Sequence, residues 1–270
     1  MSLQLVIKLY KLNNIFMQLV LPAFIFHWYL SLFSQTFFLH RYSAHKMFTM
    51  NKFWEKFFYF LTYVSQGSSY LSPRAYAILH RMHHAFSDTE KDPHSPHFSD
   101  NVFLMMWKTK NIYNALLNNK TKVEERFDHN FPFSKTIEKM GHHWISRLGW
   151  GIAYIAMYVL AYIYFDMHWA FFFLLPIHFL MGPLHGAIVN WSGHKYGYQN
   201  HDNNDKSKNS LIFDFLMMGE LFQNNHHKLP NNMNFASKWY EIDPTYPIIK
   251  LLTFMRIIKP NLSKPANAEF

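Results

Sequence analysis

Cysteine is absent from this chain of 270 residues. Its absence excludes disulfide bonds and metal sites built on thiolates, which leaves histidine as the strong ligand type to examine. Charged residues are also scarce, at 16% of the chain, against about 25% in ordinary globular domains. The formal net charge of +9 does not indicate nucleic acid as a partner, because the Lys and Arg residues lie scattered between apolar spans without forming a stripe.

Hydrophobic residues make up 50% of the chain and aromatic residues 19%. Residues 15–39 contain no charged side chain and exceed the roughly 20 residues that cross a bilayer. Leu148–Phe165 and His168–Trp191 are two further apolar spans, separated only by Asp166 and Met167. So short a link predicts a helical hairpin that leaves and returns to one side. The basic flanking segments place that side, and the active site, on the cytoplasmic face.

Shorter segments complete the predicted organisation. Residues 3–12 are typical of a short amphipathic helix, and whether residues 3–39 cross once or twice is left open. Phe53–Leu71 suits an interfacial helix, and Ser72 followed by Pro73 predicts the start of another. Leu211–Leu221 and residues 248–258 are predicted as short apolar helices. We therefore expect one domain, residues 1–270, with an all-α polytopic membrane fold and a cytoplasmic helical cap.

Histidine occurs in three spaced groups. His80, His83 and His84 stand at i, i+3 and i+4, which places them on one face of a helix. His226 and His227 repeat this spacing after Gln223. His40 and His45 are five residues apart, about 140° around an ideal helix, so the helix must end or distort between them. The three groups together predict a metal site with more than one ion.

Eight imidazoles are the candidate ligands, which is more than one ion accepts, so two ions are expected to share the site: His40, His45, His80, His83, His84, His194, His226 and His227. Imidazole suits Fe, Zn, Cu and Ni alike. Gln223 and Asn190 are candidates for weak or water-mediated ligation. Asp88, Asp92 and Glu220 are candidates to hydrogen-bond the ligand rings, although Asp88 and Asp92 are equally compatible with solvated loop acids. The remaining histidines considered are expected not to bind metal: His94, His97, His129, His168, His178, His185 and His201.

The three groups together resemble the three histidine boxes of the membrane fatty acyl desaturases. Residues 85–96 (AFSDTEKDPHSP) and 190–194 (NWSGH) are similar to the acyl-CoA desaturase branch. The resemblance extends over residues 28–258. In that family the third box usually begins with His, and Gln occurs there in the branch that desaturates near the carboxyl end.

The resemblance implies a histidine-ligated pair of iron ions that uses O₂ and two electrons to remove two hydrogens from a long acyl chain. It implies a lipid bilayer as the surroundings and an acyl-CoA or lipid-linked substrate. Because no fused electron carrier is recognised, a separate ferredoxin or b-type cytochrome is the expected donor.

Two alternative functions are considered. A related membrane diiron hydroxylase would use the same ligands and insert oxygen. A histidine-rich metal transporter would place ionisable residues along a path through the middle of its spans. Here the histidine groups stand at the ends of spans and no charged residue is central in a span, which disfavours transport.

Overall fold

The computed structural model describes residues 20–261, and within this range the chain is mostly helical. A π-helix, Ser34–Ala44, directly continues the helix α1, residues 20–33. The other helices are α2 (Lys52–Gln66), α3 (Pro73–Phe86), α4 (Val102–Leu117), α5 (Lys135–His142), α6 (Trp144–Phe165), α7 (Leu175–Phe179), α8 (Met181–Lys195), α9 (Gln223–Lys228) and α10 (Thr245–Phe254). The predicted helical class is thereby confirmed. The helix predicted for residues 3–12 lies outside the described residues.

The two short strands β1 (Phe48–Met50) and β2 (Ile258–Pro260) pair antiparallel. Residues 255–258 were expected to complete the last helix, which instead stops at Phe254. The pairing closes the C-terminal part of the described chain onto the segment after the π-helix. Phe48 of β1 stacks on Phe37 of the π-helix with ring centroids 4.8 Å apart, so the sheet supports the element that carries His40.

An aromatic core surrounds the π-helix. Phe37 and Phe38 are fully buried, and Phe38 meets Tyr59 of α2 edge to face. On the opposite face of α2, Phe53 and Phe60 are 67% and 51% exposed. The predicted helix in this segment is confirmed, and its place at a membrane interface stays a prediction.

Helix α3 begins where Ser72 and Pro73 predict. The Ser72 side chain accepts a hydrogen bond from Ala75 N–H, and Pro73 occupies the first helical position, where its missing N–H costs nothing. His80, His83 and His84 then lie near the other end of this helix.

The hairpin is present, but its return leg is broken. Among the described residues, α6 alone is a single helix long and apolar enough to cross a membrane. The leg after Asp166 and Met167 consists of a 3₁₀-helix with α7, then α8 after a bend of 78°. An unbroken helix over His168–Trp191 is therefore excluded, while the two parts together are long and apolar enough for one broken span. In an unbroken helix the Pro183 ring would clash with the carbonyl of Phe179, four residues earlier, and α7 ends at Phe179.

The prediction of a helix over Leu211–Leu221 is also wrong, because these residues form turns. The buried Asp214 carboxylate accepts hydrogen bonds from the backbone N–H groups of Met217 (2.9 Å) and Leu221 (2.8 Å). Met218 and Gly219 adopt positive φ, 52° and 92°. Side-chain bonds to nearby backbone compete with a helix in this way.

Candidate metal centre

The π-helix accommodates the five-residue spacing between His40 and His45. His45 N–H donates to His40 C=O at 3.1 Å, the i to i+5 bond of a π-helix. The wider turn brings the two rings to one side, with centroids 5.0 Å apart. The predicted distortion between His40 and His45 is confirmed.

Five histidines from three parts of the chain converge on one point. The Nε2 atom of His226 lies 2.9 Å from Nε2 of His40 and 2.9 Å from Nε2 of His84. The Nε2 atom of His80 lies 2.8 Å from that of His45 and 3.1 Å from that of His84. Each neutral imidazole has a single N–H, so a ring of facing nitrogens presents lone pairs to a shared cation. We call these residues the five-histidine group: His40, His45, His80, His84 and His226.

A second cluster, the three-histidine group, consists of His83, His194 and His227. Their ring centroids lie 4.8, 4.9 and 5.0 Å apart. The Nε2 atoms of all three are buried and have no hydrogen-bond partner among the described residues. Buried polar atoms rarely remain without partners, so three orphaned nitrogens facing one another fit a metal ion.

Each ring of the three-histidine group is held by a carboxylate on its other nitrogen. The Nδ1 atoms of His83, His194 and His227 lie 2.9, 2.9 and 2.5 Å from oxygens of Asp92, Asp88 and Asp205, respectively. Such a bond fixes the Nδ1–H tautomer and directs the Nε2 lone pair inward. Asp88 and Asp92 thus contact the rings as the sequence suggested.

In the five-histidine group, Glu220 holds the ring of His40 in the same way. Its carboxylate lies 2.7 Å from His40 Nδ1 and also accepts from the Thr36 hydroxyl. The fully buried Arg41 guanidinium contacts Glu220 at 3.3 Å and Asp243 at 2.8 Å. These ion pairs tie the π-helix to the segments on both sides of the third histidine box.

Burial controls the charge of the ligands. Burial, reinforced by the neighbouring imidazoles, lowers the pKa of His80, His84 and His226 well below the usual value. These rings are therefore neutral at physiological pH, as metal binding requires. Burial opposes ionisation of Asp205, but the contact with His227 outweighs it and holds the pKa of that carboxyl well below its usual range.

Two residues that contact the candidate ligands were not among the predicted site residues. Asp205 stands in a polar Asn/Asp loop, and nothing in that composition distinguishes it from its solvated neighbours. His94 was expected not to bind metal. It is 3% exposed, its ring centroid lies 4.3 Å from that of His83, and its ring nitrogens have no partner among the described residues. Its place two residues after Asp92 was the available signal.

Gln223 does not point its amide nitrogen at the histidines. Its Nε2 atom donates to the backbone carbonyl of Glu220 at 2.6 Å. Its side chain packs against Gly193 of α8, where a Cβ atom would lie 2.4 Å from Gln223 Cγ. The amide oxygen remains the only atom of Gln223 that suits a metal or its water.

A cavity of about 620 Å³ adjoins the centre. Its lining includes His40, His80, His94, Asn190 and Gln223, apolar side chains such as Leu32, Leu79, Phe179 and Val189, and further polar side chains such as Lys110, Asn114 and Arg147. Its volume falls in the range of about 300–1,000 Å³ common for ligand pockets. Most of the lining surface is apolar, which suits a long apolar ligand with a polar end.

The comparisons with known proteins agree with this arrangement. The family model described as fatty acid desaturase matches residues 16–252. The chain is 27% identical over 236 residues to an sn-1 stearoyl-lipid 9-desaturase of Synechocystis, covering 85% of this chain and 67% of that protein. It is 28% identical to an acyl-CoA 5-desaturase of Anemone leveillei, covering 83% and 65%. A hex-5-enoyl-[acyl-carrier protein] acetylenase of Moorena producens is 26% identical, covering 82% and 70%. The chain thus spans about two thirds of the length of these relatives.

Proposed function

Since this chain belongs to the fatty acid desaturase family, we propose that it is an oxygen-dependent oxidoreductase that introduces a double bond into a long acyl chain. The observation that carries the proposal is the convergence of eight histidines in two groups beside an apolar cavity. The relatives named above act on lipid-linked, CoA-linked or carrier-linked acyl chains, and we propose an acyl-CoA or lipid-linked substrate.

The two groups would each hold one iron ion. The five-histidine group supplies five nitrogen donors. The three-histidine group supplies three, and Asn190 and Gln223 stand one helical turn before its members His194 and His227. Bound iron would supply the activation of O₂ and the oxidising power that an unactivated C–H bond requires. The carboxylates Asp88, Asp92, Asp205 and Glu220 keep the rings in the correct tautomer and orientation.

The cavity would position the acyl chain. Apolar walls formed by residues such as Leu32 and Val189 would hold the acyl chain extended and dry, with one pair of methylenes beside His40 and His80. Fixing the reacting carbons there removes the entropic cost of their alignment. The overall reaction converts –CH₂–CH₂–, O₂, two electrons and two protons into –CH=CH– and two water molecules.

The electrons would come from a separate ferredoxin or b-type cytochrome. The net charge of +9 suits an acidic donor protein, since complementary charge speeds association. The chain would lie in a lipid bilayer, with α6 crossing it and the histidine groups at the cytoplasmic face.

The proposal is tested by gas chromatography–mass spectrometry of fatty acids from a host that expresses the chain. We expect a new unsaturated acid and about two iron atoms per purified chain. His226→Ala should lose both, whereas His129→Ala, at an exposed position, should lose neither. A hydroxylated product would assign the chain to the hydroxylase reaction instead, and a single bound ion unaffected by His226→Ala would contradict the dimetal site.

A further inference from the structure

The loop that precedes the third histidine box exposes a row of apolar side chains. Leu211, Ile212, Phe213, Phe215 and Leu216 are 39%, 47%, 57%, 55% and 51% exposed. Asp214 is the single charged residue of the loop, and it is fully buried. A contiguous apolar surface of this kind marks a site of interaction.

The loop is held in this orientation by its own hydrogen bonds. The Asp214 carboxylate accepts from two backbone N–H groups, as described above, and the Asp214 carbonyl accepts from Gly219 N–H at 3.1 Å. Thr245 Oγ1 donates to Met218 C=O at 2.7 Å. The polar atoms are thus turned inward and the large apolar side chains outward.

The position of the loop identifies what covers it. Trp28 Nε1 donates to Leu216 C=O at 3.2 Å, which docks the loop against α1. On α1, Ile25 and Phe26 are 45% and 67% exposed within the uncharged run of residues 15–39. Trp28 precedes His40 by an axial distance on the order of 15 Å, so the loop lies beside the part of α1 that suits hydrocarbon.

We propose that residues 211–216 insert into the acyl region of the bilayer leaflet that borders the metal centre. The occupant of this surface is lipid, because the loop docks on α1, which also exposes apolar side chains at Ile25 and Phe26, and because the loop presents no exposed charge. Glu220 and Gln223 follow within a few residues, so the inserted loop anchors the third histidine box at the membrane surface. This inference does not depend on which reaction the centre performs.

Because the chain contains no cysteine, a single introduced cysteine is the only thiol that a reagent can label. The proposal can therefore be tested directly. The variants Phe213→Cys and Phe215→Cys carry the environment-sensitive fluorophore NBD, in the full chain reconstituted in phosphatidylcholine vesicles. Phe26→Cys on α1 serves as the lipid-facing reference and Lys120→Cys, exposed at the end of α4, as the aqueous reference. Circular dichroism verifies that each labelled variant is folded.

We expect NBD at Phe213 and Phe215 to behave as at Phe26, with blue-shifted emission that spin-labelled lipids quench several-fold more than at Lys120. Aqueous iodide should quench Lys120 selectively. Iodide quenching at both loop positions, without quenching by lipid, would overturn the proposal. Protection from both quenchers would overturn it as well, since a protein or a second copy would then cover the loop.

Discussion

The histidines of the centre differ from ordinary buried histidines in how both ring nitrogens are used. His83, His194 and His227 each bind a carboxylate with Nδ1 and leave Nε2 free to face the other two. A carboxylate that holds a ligand ring typically changes metal affinity by about 10–100-fold when it is removed. Asp205 is the simplest of these to test because it lies in a loop.

Asp205→Asn should lower iron affinity by about 10–100-fold, because the neutral amide accepts a weaker bond from His227 and no longer fixes its tautomer. Competition with a chelator of known affinity measures the change. Asp202→Asn, an exposed position of the same loop, should leave iron binding unaltered. Equal retention of iron by the two variants would contradict the role assigned to Asp205.

Gln223→Ala should retain iron and measurable desaturation, because the Gln223 amide nitrogen is used on the Glu220 carbonyl and its oxygen is at most a weak ligand. Gln223→His should also be tolerated. His226→Ala, which removes a strong donor, should lose iron and product. If Gln223→Ala is as depleted of metal as His226→Ala, Gln223 is a ligand.

Gly193→Ala tests whether the placement of Gln223 matters. The added Cβ would lie 2.4 Å from Gln223 Cγ, so the Gln223 side chain must move. Gly149→Ala, at an exposed position of α6 away from the cavity, meets nothing within 4 Å and serves as the control. We expect Gly193→Ala alone to alter the ratio of product isomers in the same chromatographic assay, and equal ratios for the two variants would count against a positioning role.

At the scale of elements, the π-helix is held by Arg41 rather than by local sequence preference. Arg41 is fully buried and spans two carboxylates, Glu220 and Asp243. Removing one partner of a buried ion pair leaves an uncompensated charge, which costs about 3–5 kcal/mol. The stability of the element that carries His40 and His45 thus depends on a contact made far along the chain.

Arg41→Ala should therefore lower the free energy of unfolding by about 3–5 kcal/mol, measured by chemical denaturation in detergent micelles. Arg74→Ala is the matched control. It removes a partly exposed pair with Asp128, which should contribute about 1 kcal/mol or less. Similar losses in the two variants would show that Arg41 does not hold the π-helix in the manner described.

At the scale of the whole molecule, the proposed membrane crossing depends on the hairpin formed by α6 and its return leg. Helix α6 is 22 residues long, or about 33 Å, and ends at Asp166 with a left-handed residue at φ 49°. The return leg bends by 78° and ends at His194 in the metal centre. Lys and Arg residues flank the two ends of the hairpin, among them Lys139, Arg147 and Lys195, and this pattern underlies the proposed cytoplasmic face of the site.

A thiol introduced by Asp166→Cys should react with a membrane-impermeant maleimide only from the side opposite the histidine groups. The control Lys120→Cys should react only from the cytoplasmic side. Sealed vesicles of known orientation provide the measurement. Labelling of Asp166→Cys from the cytoplasmic side alone would contradict the proposed crossing of the membrane by α6.

The sequence alone was sufficient for the helical class, the eight candidate histidines and the family. The ability of histidine to bind metal is a property of the residue itself. The i, i+3, i+4 spacing places three side chains on one face of any helix, so His80, His83 and His84 were identifiable without coordinates. The five-residue gap between His40 and His45 likewise required a distorted helix, since no regular one brings them together.

Only the tertiary structure decided how the histidines divide into groups of five and three, because contacts such as His40 with His226 join residues far apart in the chain. It also selected Asp205 from a loop of similar polar residues and brought His94 beside His83. The bend before α8 and the turns over Leu211–Leu221 arose where a proline ring and a buried carboxylate competed successfully with helix periodicity. Hydrophobic pattern predicts that a segment is apolar, whereas its path depends on where its backbone hydrogen bonds are satisfied.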